Sequence, residues 1–388
     1  MNLGGLRYLV VGAGLWGLVL AERIASQLGE RVLVLDRRSH SGGNCYAAKD
    51  SETGIERHIY GTHVFHTSLP RVWEYLNRFT SFTNYRHRVY TEYRGRVHPL
   101  PLGLAAINSF YGFRLKPWEM EEFIRKESGG GEFPDPANLE EKAVSLVGRP
   151  LYEAFIKGYS QKQWGRHPRE LPPEIISRLP VRSSYNTDYF DDLWQGMPSQ
   201  GYTALFARLL RHPLIDLQLG VEYASIADMV PKDCQILYSG PIDAFFNYSR
   251  GALEWRGLRF EWETVPYSDY QGTAVMNQAD LEVACTRIHE FKHLHPERGH
   301  HGPKSVIARE YPTACQPGDE PYYPVNTTDN ECLHAAYLQD ASELPRVIFG
   351  GRLGSYKYLD MDKTIASALE CFDQLRARQG LDYWEKKS

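Results

Sequence analysis

The chain has 388 residues, of which 42% are hydrophobic and 24% charged, and its formal net charge is −4. This length predicts about two to three domains. The charge argues against a general nucleic-acid-binding protein, which needs a basic face. The six cysteines form no CxxC pair and indicate reduced thiols. We find neither a signal peptide nor a bilayer-spanning apolar run, so we expect a cytoplasmic protein without membrane insertion.

The first forty residues predict a β-α-β unit. The apolar run Arg7 to Val11 indicates a buried parallel strand, and a helix is expected from about Trp16 to Leu28. A second strand, Arg31 to Leu35, ends at Asp36.

The turn between the first strand and the helix is a GxGxxG motif. Gly12 permits the tight turn, Gly14 lets the backbone approach a pyrophosphate, and Gly17 lets the helix pack closely on the strand. The free N–H groups at the helix N-terminus favour phosphate binding. Asp36 is placed to bind a ribose hydroxyl. The motif therefore predicts a dinucleotide site.

Two further glycine-rich segments favour FAD over NAD. Arg37 and then Gly43-Asn44 follow the second strand, where a longer cofactor lies along more backbone. Gly351-Arg352 follows the apolar strand Val347 to Phe349, and Arg352 is available for the pyrophosphate. The N-terminus of the last helix, near Met361, is then expected to face the flavin and stabilise negative charge on a reduced ring.

The rest of the chain divides by pattern. Residues Ile59 to Pro101 predict mixed strand and loop, and Lys116 to Gly158 predict helices, with a capping box at Asn138 and Glu141. Residues Val221 to Val325 predict a strand-rich region.

Six stretches together resemble the bacterial UDP-galactopyranose mutases, and the resemblance runs from the glycine motif to Ala368. These stretches are Tyr60 to Thr67, Leu151 to Trp164, Arg178 to Arg182, Asp269 to Asn277, Thr286 to Ile288 and Gly351 to Met361. The resemblance implies an α/β fold, in which a Rossmann-like FAD-binding domain carries an inserted helical domain and a twisted antiparallel β-sheet domain. We assign residues 1–80, 200–240 and 330–388 to the FAD-binding domain, 102–182 to the helical lid domain, and 81–101, 183–199 and 241–329 to the sheet domain.

The resemblance also implies the chemistry. Members interconvert UDP-galactopyranose and UDP-galactofuranose without net redox change, and N5 of reduced FAD acts as the nucleophile on the anomeric carbon. The protein stabilises the leaving diphosphate, for which arginines are suited by their paired hydrogen bonds. The expected partners are UDP-galactose, NAD(P)H or another reductant, and a second copy of the chain in a homodimer.

Site residues follow from the matching positions. The catalytic candidates are Arg178, Arg287 and His63. The substrate-binding candidates are Phe155, Tyr159, Trp164, Arg178, Tyr189, Arg256, Asn277, Arg287, Tyr323 and Tyr358. The cofactor-binding candidates are Gly12, Gly14, Trp16, Gly17, Asp36, Arg37, Gly43, Asn44, His63, His66, Arg352, Tyr358, Asp360 and Met361.

Three alternatives remain at this point. Ala284-Cys285 and Gln278 depart from the family pattern, so a mutase for a related UDP-sugar is one alternative. A flavin oxidase or dehydrogenase on the same fold is a second, and a non-catalytic sugar-nucleotide binder is a third. We expect no metal, because the histidines between His289 and His301 lack an accompanying cysteine pair or carboxylate set at ligand spacing.

Overall fold

The computed structural model describes residues 3–129, 133–176 and 181–378, so the predicted ligand Arg178 lies outside the described residues. The described strands are β1 (Tyr8–Val11), β2 (Val32–Asp36), β3 (Ala47–Lys49), β4 (Glu56–His58), β5 (Phe65–Thr67), β6 (Val89–Tyr93), β7 (Arg96–Leu100), β8 (Trp194–Gly196), β9 (Ile215–Leu219), β10 (Gln235–Tyr238), β11 (Trp255–Val265), β12 (Val275–Gln278), β13 (Arg287–Glu290), β14 (Ser305–Cys315), β15 (Tyr323–Pro324) and β16 (Val347–Phe349).

The described α-helices are α1 (Leu15–Arg23), α2 (Pro70–Asn77), α3 (Leu104–Tyr111), α4 (Pro117–Glu127), α5 (Leu139–Val147), α6 (Arg149–Leu151), α7 (Gly158–Trp164), α8 (Tyr202–Leu209), α9 (Ile242–Phe245), α10 (Thr328–Ser342), α11 (Gly351–Gly354) and α12 (Met361–Arg378). Two π-helical segments, Ile24–Leu28 and Tyr152–Lys157, continue α1 and join α6 to α7. Among the described residues, no helix combines the length and apolarity that crossing a membrane requires.

One sheet is parallel and has five strands, in the order β16-β10-β1-β2-β9. Its central strands β1 and β2 are buried along almost their whole length, as expected for a sheet covered on both faces. Helices α1 and α12 pack together on one face, where Leu18, Ile365 and Leu369 are buried. The predicted β-α-β unit is confirmed, although its helix changes to π geometry after Arg23.

The turn after β1 depends on two glycines. Gly12 has a φ of 105°, which other residues rarely adopt, and a Cβ there would lie 2.1 Å from Ser239 Oγ. A Cβ at Gly17 would lie 2.1 Å from the carbonyl oxygen of Gly12 and 2.8 Å from Val10 Cγ1. Helix α1 can therefore approach β1 this closely only because Gly17 lacks a side chain, and the turn at Gly12 can lie against Ser239 because Gly12 lacks one.

A helical unit from α3 to α7 has its own apolar core, in which Leu104, Ile107, Val144 and Tyr152 are fully buried. Half of the predicted capping box is present: Asn138 Oδ1 accepts a hydrogen bond from the Glu141 amide at 3.0 Å. Glu141 Oε2 accepts from the Ala137 amide at 2.8 Å, in place of the Asn138 amide that a capping box would use. The helices begin at Leu104, earlier than the predicted Lys116. The N-cap of α3 is Gly103, which offers no side-chain signal in the sequence.

Another sheet has seven strands, in the order β15-β11-β14-β13-β12-β6-β7. All neighbouring strands are antiparallel except β12 and β6, which run parallel. Its longest strands are β11 and β14, which pair over eleven residues each. Strand β8 lies in the range assigned to this sheet, but it pairs with β5 in a separate two-stranded ladder. The predicted fold class is confirmed, while the residue ranges of the three domains stay a prediction.

Candidate active site

A cavity of about 580 Å³ lies at the carboxyl ends of the parallel strands β1, β2 and β10. Nucleotides bind at this edge of open α/β sheets, beside the turn that follows the first strand. Ten of the predicted cofactor residues line it: Gly12, Gly14, Trp16, Asp36, Arg37, Gly43, Asn44, His63, Arg352 and Met361.

Gly14 provides a test of whether these residues fit a dinucleotide. A Cβ at Gly14 would meet no protein atom closer than Gly43 Cα, at 3.8 Å, so packing within the protein does not require a glycine there. Gly14 instead lines the cavity at the N-terminus of α1. We therefore attribute the glycine at position 14 to the close approach of a ligand phosphate, which a side chain would block.

Asp36 lies at the end of β2, where the sequence places the ribose ligand. Its Oδ2 accepts from the Ala13 amide at 2.8 Å, and its Oδ1 accepts from the Arg38 amide at 2.9 Å. These bonds fix the carboxylate at the rim of the cavity, and each oxygen keeps a lone pair for a further donor.

A loop from Gln316 to Pro321 lines the same cavity from the opposite side. Its Glu320 forms ion pairs with Arg37, at 2.8 Å, and with Arg38. Arg38 also donates to Asn44 Oδ1 at 2.8 Å and lies over the ring of Tyr60. The two arginines are thus held at the mouth of the cavity, and sequence reasoning did not identify Glu320 as their partner.

A second cavity, of about 200 Å³, opens between the parallel sheet and the seven-stranded sheet. Eleven predicted residues line it: His63, His66, Tyr159, Tyr189, Asn277, Arg287, Tyr323, Arg352, Tyr358, Asp360 and Met361. His63, Arg352 and Met361 line both cavities, so they form the junction between them. A ligand in one cavity therefore lies next to a ligand in the other.

His63 is fixed at this junction in a neutral state. Its Nδ1 lies 2.8 Å from the carbonyl oxygen of Gly61, which can only accept a hydrogen bond. Nδ1 therefore carries the proton, and Nε2 is an acceptor. Burial lowers the pKa of His63 to about 4, although the Gly61 carbonyl opposes the shift. The site thus offers an uncharged imidazole at neutral pH.

Arg287 is the principal cation of the second cavity. Because Arg287 on β13 pairs directly with Glu310 on β14, both side chains lie on the same face of the sheet. Arg287 donates from Nε to Glu310 Oε1 at 2.9 Å and from Nη2 to Tyr323 Oη at 3.2 Å. Burial alone would raise the pKa of Glu310, but Arg287 and His289 lower it to about 2. Glu310 thus holds Arg287 charged and in place.

A hydrogen-bond chain links this pair to the segment that carries His63. His289 Nε2 lies 3.0 Å from Glu310 Oε2, and His289 Nδ1 lies 2.8 Å from Thr62 Oγ1. Glu310 is only 1% exposed. The sequence analysis did not identify Glu310. The period-2 pattern of β14 predicts which face of the sheet Glu310 lies on, but it does not predict that Arg287 is its partner.

Tyrosine hydroxyls surround Arg287. Tyr323 stacks on Tyr358 with ring centroids 5.8 Å apart, and the guanidinium of Arg352 lies 4.6 Å from the centroid of Tyr358. Arg352 also donates to the carbonyl oxygen of Leu359 at 2.7 Å. Tyr189 lines the same cavity. The cavity therefore combines a charged guanidinium with neutral hydroxyl donors, which suits an anionic, ring-bearing ligand.

Asn277 adds an acceptor that is still unused. Among the described residues, its buried Oδ1 has no hydrogen-bond partner. A buried amide oxygen without a partner is unfavourable unless a ligand or water satisfies it. Since Asn277 lines the second cavity, a ligand there can supply the missing donor.

Three predicted substrate residues lie outside the lining of both cavities. Phe155 packs in the helical core, 5.2 Å from Phe110 between ring centroids. Trp164 ends α7, with its ring 6.4 Å from that of Tyr323. Arg256 donates to the carbonyl oxygen of Gln163 at 3.0 Å and so fixes the end of that helix. Contact with the substrate at these three positions stays a prediction.

Of the remaining cofactor predictions, Gly17 serves packing between α1 and β1. His66, Tyr358 and Asp360 line the second cavity and are absent from the lining of the first. His66 donates from Nδ1 to Asp192 Oδ2, at 2.6 Å, and stacks on Phe190. These three residues therefore belong to the second cavity, and their contact with the cofactor stays a prediction.

The fold brings together carboxylates that the sequence did not associate with the histidines. Asp269 and Glu290 lie 3.2 and 3.3 Å from His293 Nε2. The ammonium of Lys292 lies 3.1 Å from Asp269, and Glu290 also accepts from Ser305. The two carboxylates are thus already paired with a cation and one hydroxyl donor, which argues against a metal at this point.

Comparison with known proteins identifies the family. A profile of the UDP-galactopyranose mutase family matches residues 154–358, and one of NAD(P)-binding Rossmann-like domains matches residues 10–79. A protein of Klebsiella pneumoniae named "Probable UDP-galactopyranose mutase" is 42% identical over 366 residues, which cover 94% of each chain. The chain belongs to the UDP-galactopyranose mutase family.

Two other similarities bear on this assignment. A protein of Escherichia coli named "dTDP-fucopyranose mutase" is 39% identical, with 94% of this chain and 97% of that protein covered. A crystal structure of reduced UDP-galactopyranose mutase superposes with a TM-score of 0.74 over 96% of both chains, at 16% identity, which shows the shared fold. As a member of the mutase family the chain is an isomerase, and its Rossmann-like domain indicates a flavin cofactor.

Proposed function

We propose that this chain interconverts UDP-galactopyranose and UDP-galactofuranose with the help of reduced FAD. The observation that carries the proposal is the junction of the two cavities. One cavity has a dinucleotide motif, the other has a guanidinium among tyrosines, and His63, Arg352 and Met361 belong to both. Such an arrangement brings the reactive end of a cofactor next to a nucleotide sugar.

The first cavity has the donor set that FAD requires. The N-terminus of α1 and Gly14 would hold the pyrophosphate and Asp36 would hold the ribose, while Arg352 and the start of α12 would contact the flavin. Reduced FAD, when bound, supplies a nucleophilic nitrogen, N5, for the anomeric carbon of the sugar. NAD(P)H or another reductant is the proposed source of its electrons.

In the second cavity, the chain stabilises the diphosphate that leaves the sugar. Arg287 offers a fixed positive charge, held by Glu310, and the hydroxyls of Tyr159, Tyr189 and Tyr323 add neutral donors. These donors are in place before the reaction, so little reorganisation is needed when charge develops on the leaving group. We propose Arg178 as a second cation for the same diphosphate, on its sequence position alone.

His63 contacts the sugar or the cofactor directly in this proposal. Its pKa of about 4 keeps the imidazole neutral, so Nε2 accepts a hydrogen bond from a sugar hydroxyl or from the reduced cofactor. A neutral imidazole here also avoids placing another positive charge beside Arg287 and Arg352. Asn277 Oδ1 accepts a second hydroxyl or an imide N–H of the ligand.

The identity of the nucleotide sugar has one supported alternative. The relative named dTDP-fucopyranose mutase is almost as similar to this chain as the relative named for UDP-galactose. Gln278, Ala284 and Cys285 depart from the family pattern next to Asn277 and Arg287. We therefore propose UDP-galactose as the first substrate to test and dTDP-fucose as the second.

The deciding experiment is anaerobic incubation with UDP-galactofuranose and, separately, with dTDP-fucofuranose, followed by chromatography of the products. We expect conversion to the pyranose only after the flavin is reduced with dithionite or NAD(P)H. Equal conversion with oxidised flavin would contradict the proposed role of the cofactor. Consumption of an electron acceptor together with an oxidised sugar would indicate an oxidase or dehydrogenase instead.

A further inference from the structure

Lys162 is a cation whose contacts the proposed function does not use. It lies on α7, one turn after Gly158 and two residues before Trp164. Its Nζ lies within hydrogen-bond distance of four main-chain carbonyl oxygens: those of Gln278, Asp280 and Val283 at 2.8 Å and that of Cys285 at 3.0 Å. One ammonium therefore ties the helix to the whole of segment 278–285.

Gly158 provides a second, independent sign of this docking. A Cβ at Gly158 would lie 2.4 Å from the carbonyl oxygen of Ala279 and 3.2 Å from the amide nitrogen of Leu281. Gly158 and Lys162 are four residues apart, so they lie on the same face of α7. The helix backbone can reach segment 278–285 only because this position lacks a side chain.

The two docked elements carry or adjoin residues that line the second cavity. Tyr159 follows Gly158 on α7, and Arg287 stands two residues after Cys285. We propose that Lys162 is a positioning residue, whose ammonium holds α7 on segment 278–285 and so fixes Tyr159 relative to Arg287 for binding of the nucleoside diphosphate. This inference rests on the proposed function, since it concerns the same cavity.

The docking of Lys162 does not depend on which side chains the segment carries. All four acceptors of Lys162 are main-chain carbonyls. Replacement of a side chain in segment 278–285 therefore removes none of these acceptors.

The protonation state of Lys162 makes the docking sensitive to pH. Burial lowers the pKa of Lys162 to about 8, and the groups that face it and oppose this shift are Cys285, Asp280 and Glu282. Burial also raises the pKa of the Cys285 thiol, and Lys162 opposes that shift. Above this pH the amine has one donor fewer, and a lone pair then faces carbonyl oxygens.

The test is calorimetric titration of the flavin-loaded protein with UDP. For Lys162→Met we expect a dissociation constant at least about tenfold higher, because hydrogen bonds to a charged group are lost. The ratio of flavin to protein stays at the wild-type value, since the flavin cavity is lined by other elements. The matched control is Lys157→Met, which removes only an exposed ion pair with Glu153 and leaves UDP binding unchanged.

A second comparison covers the case in which Lys162→Met does not fold. We expect the dissociation constant of the wild type to rise above about pH 8, while that of Lys162→Arg stays level because a guanidinium keeps its proton. The inference would be overturned if Lys162→Met bound UDP with the wild-type dissociation constant. It would also be overturned if the dissociation constant of Lys162→Arg rose above pH 8 as that of the wild type does. Failure of the wild type to bind UDP would instead overturn the proposed function.

Discussion

Arg287 and Glu310 are direct partners across β13 and β14, with Arg287 Nε 2.9 Å from Glu310 Oε1. Glu310 is almost fully buried, while the Arg287 side chain keeps a quarter of its surface exposed toward the second cavity. The two side chains of the pair therefore differ in exposure. The carboxylate is enclosed by the sheet, and the guanidinium it holds faces the ligand.

Loss of the buried Glu310 carboxylate should destabilise the folded state. We expect Glu310→Ala to lower the free energy of unfolding by roughly 3–5 kcal/mol, because it leaves an uncompensated charge in the sheet. The matched control is Glu263→Ala, which removes an exposed ion pair with Arg309 between strands β11 and β14. That change should cost about 1 kcal/mol or less. Urea unfolding followed by circular dichroism measures both, and equal losses would contradict the burial argument.

Loss of the guanidinium itself should act on turnover. We expect Arg287→Ala, and likewise Arg178→Ala, to lower kcat/KM about a thousandfold, because a preorganised charge at the leaving diphosphate is lost. Arg259→Ala serves as the control, since Arg259 is an exposed arginine of β11 paired with Glu261. Steady-state kinetics with reduced flavin measure the effect. Near wild-type activity of Arg287→Ala would show that the diphosphate binds elsewhere.

The glycine motif allows cofactor binding and packing to be separated. A Cβ at Gly14 would clash with no protein atom, whereas a Cβ at Gly17 would lie 2.1 Å from the Gly12 carbonyl oxygen. We therefore expect Gly14→Ala to fold normally but to purify with less flavin, and Gly17→Ala to unfold at lower temperature. The flavin absorbance per protein and the melting temperature of the flavin-free protein distinguish the two. A full flavin content in Gly14→Ala would argue against the pyrophosphate at this turn.

The buried histidines predict how stability depends on pH. Burial lowers the pKa of His63 to about 4 and that of His87 to about 3, whereas an unfolded histidine titrates near pH 6.5. Between these values the unfolded chain binds more protons, so the free energy of unfolding should rise with pH from about 4 to 6.5 and then level off.

Variants of the histidines check the sign of this dependence. His87→Gln should flatten the slope, since it removes one buried group that must stay neutral in the folded state. His301→Gln, at an exposed position, is the matched control and should leave the slope as it is. Urea unfolding at several pH values provides the measurement, and a slope of opposite sign in the wild type would refute the assignment.

The sequence by itself determined the local features. The tight turn at Gly12, the acid at the end of β2 and the cap at Asn138 each depend on a few neighbouring residues, so spacing alone predicts them. The family resemblance added Arg287, the tyrosines and His63, which the structure gathers around two adjoining cavities.

Only the tertiary structure decided which residues pair across the chain. Glu310 holds Arg287 because of the register of two strands, and Lys162 reaches four carbonyl oxygens because α7 packs on a segment more than a hundred residues away. The same long-range packing placed Phe155 in the helical core and Arg256 at a helix end. Such contacts depend on register and on the approach of distant elements, which no local spacing in the sequence encodes.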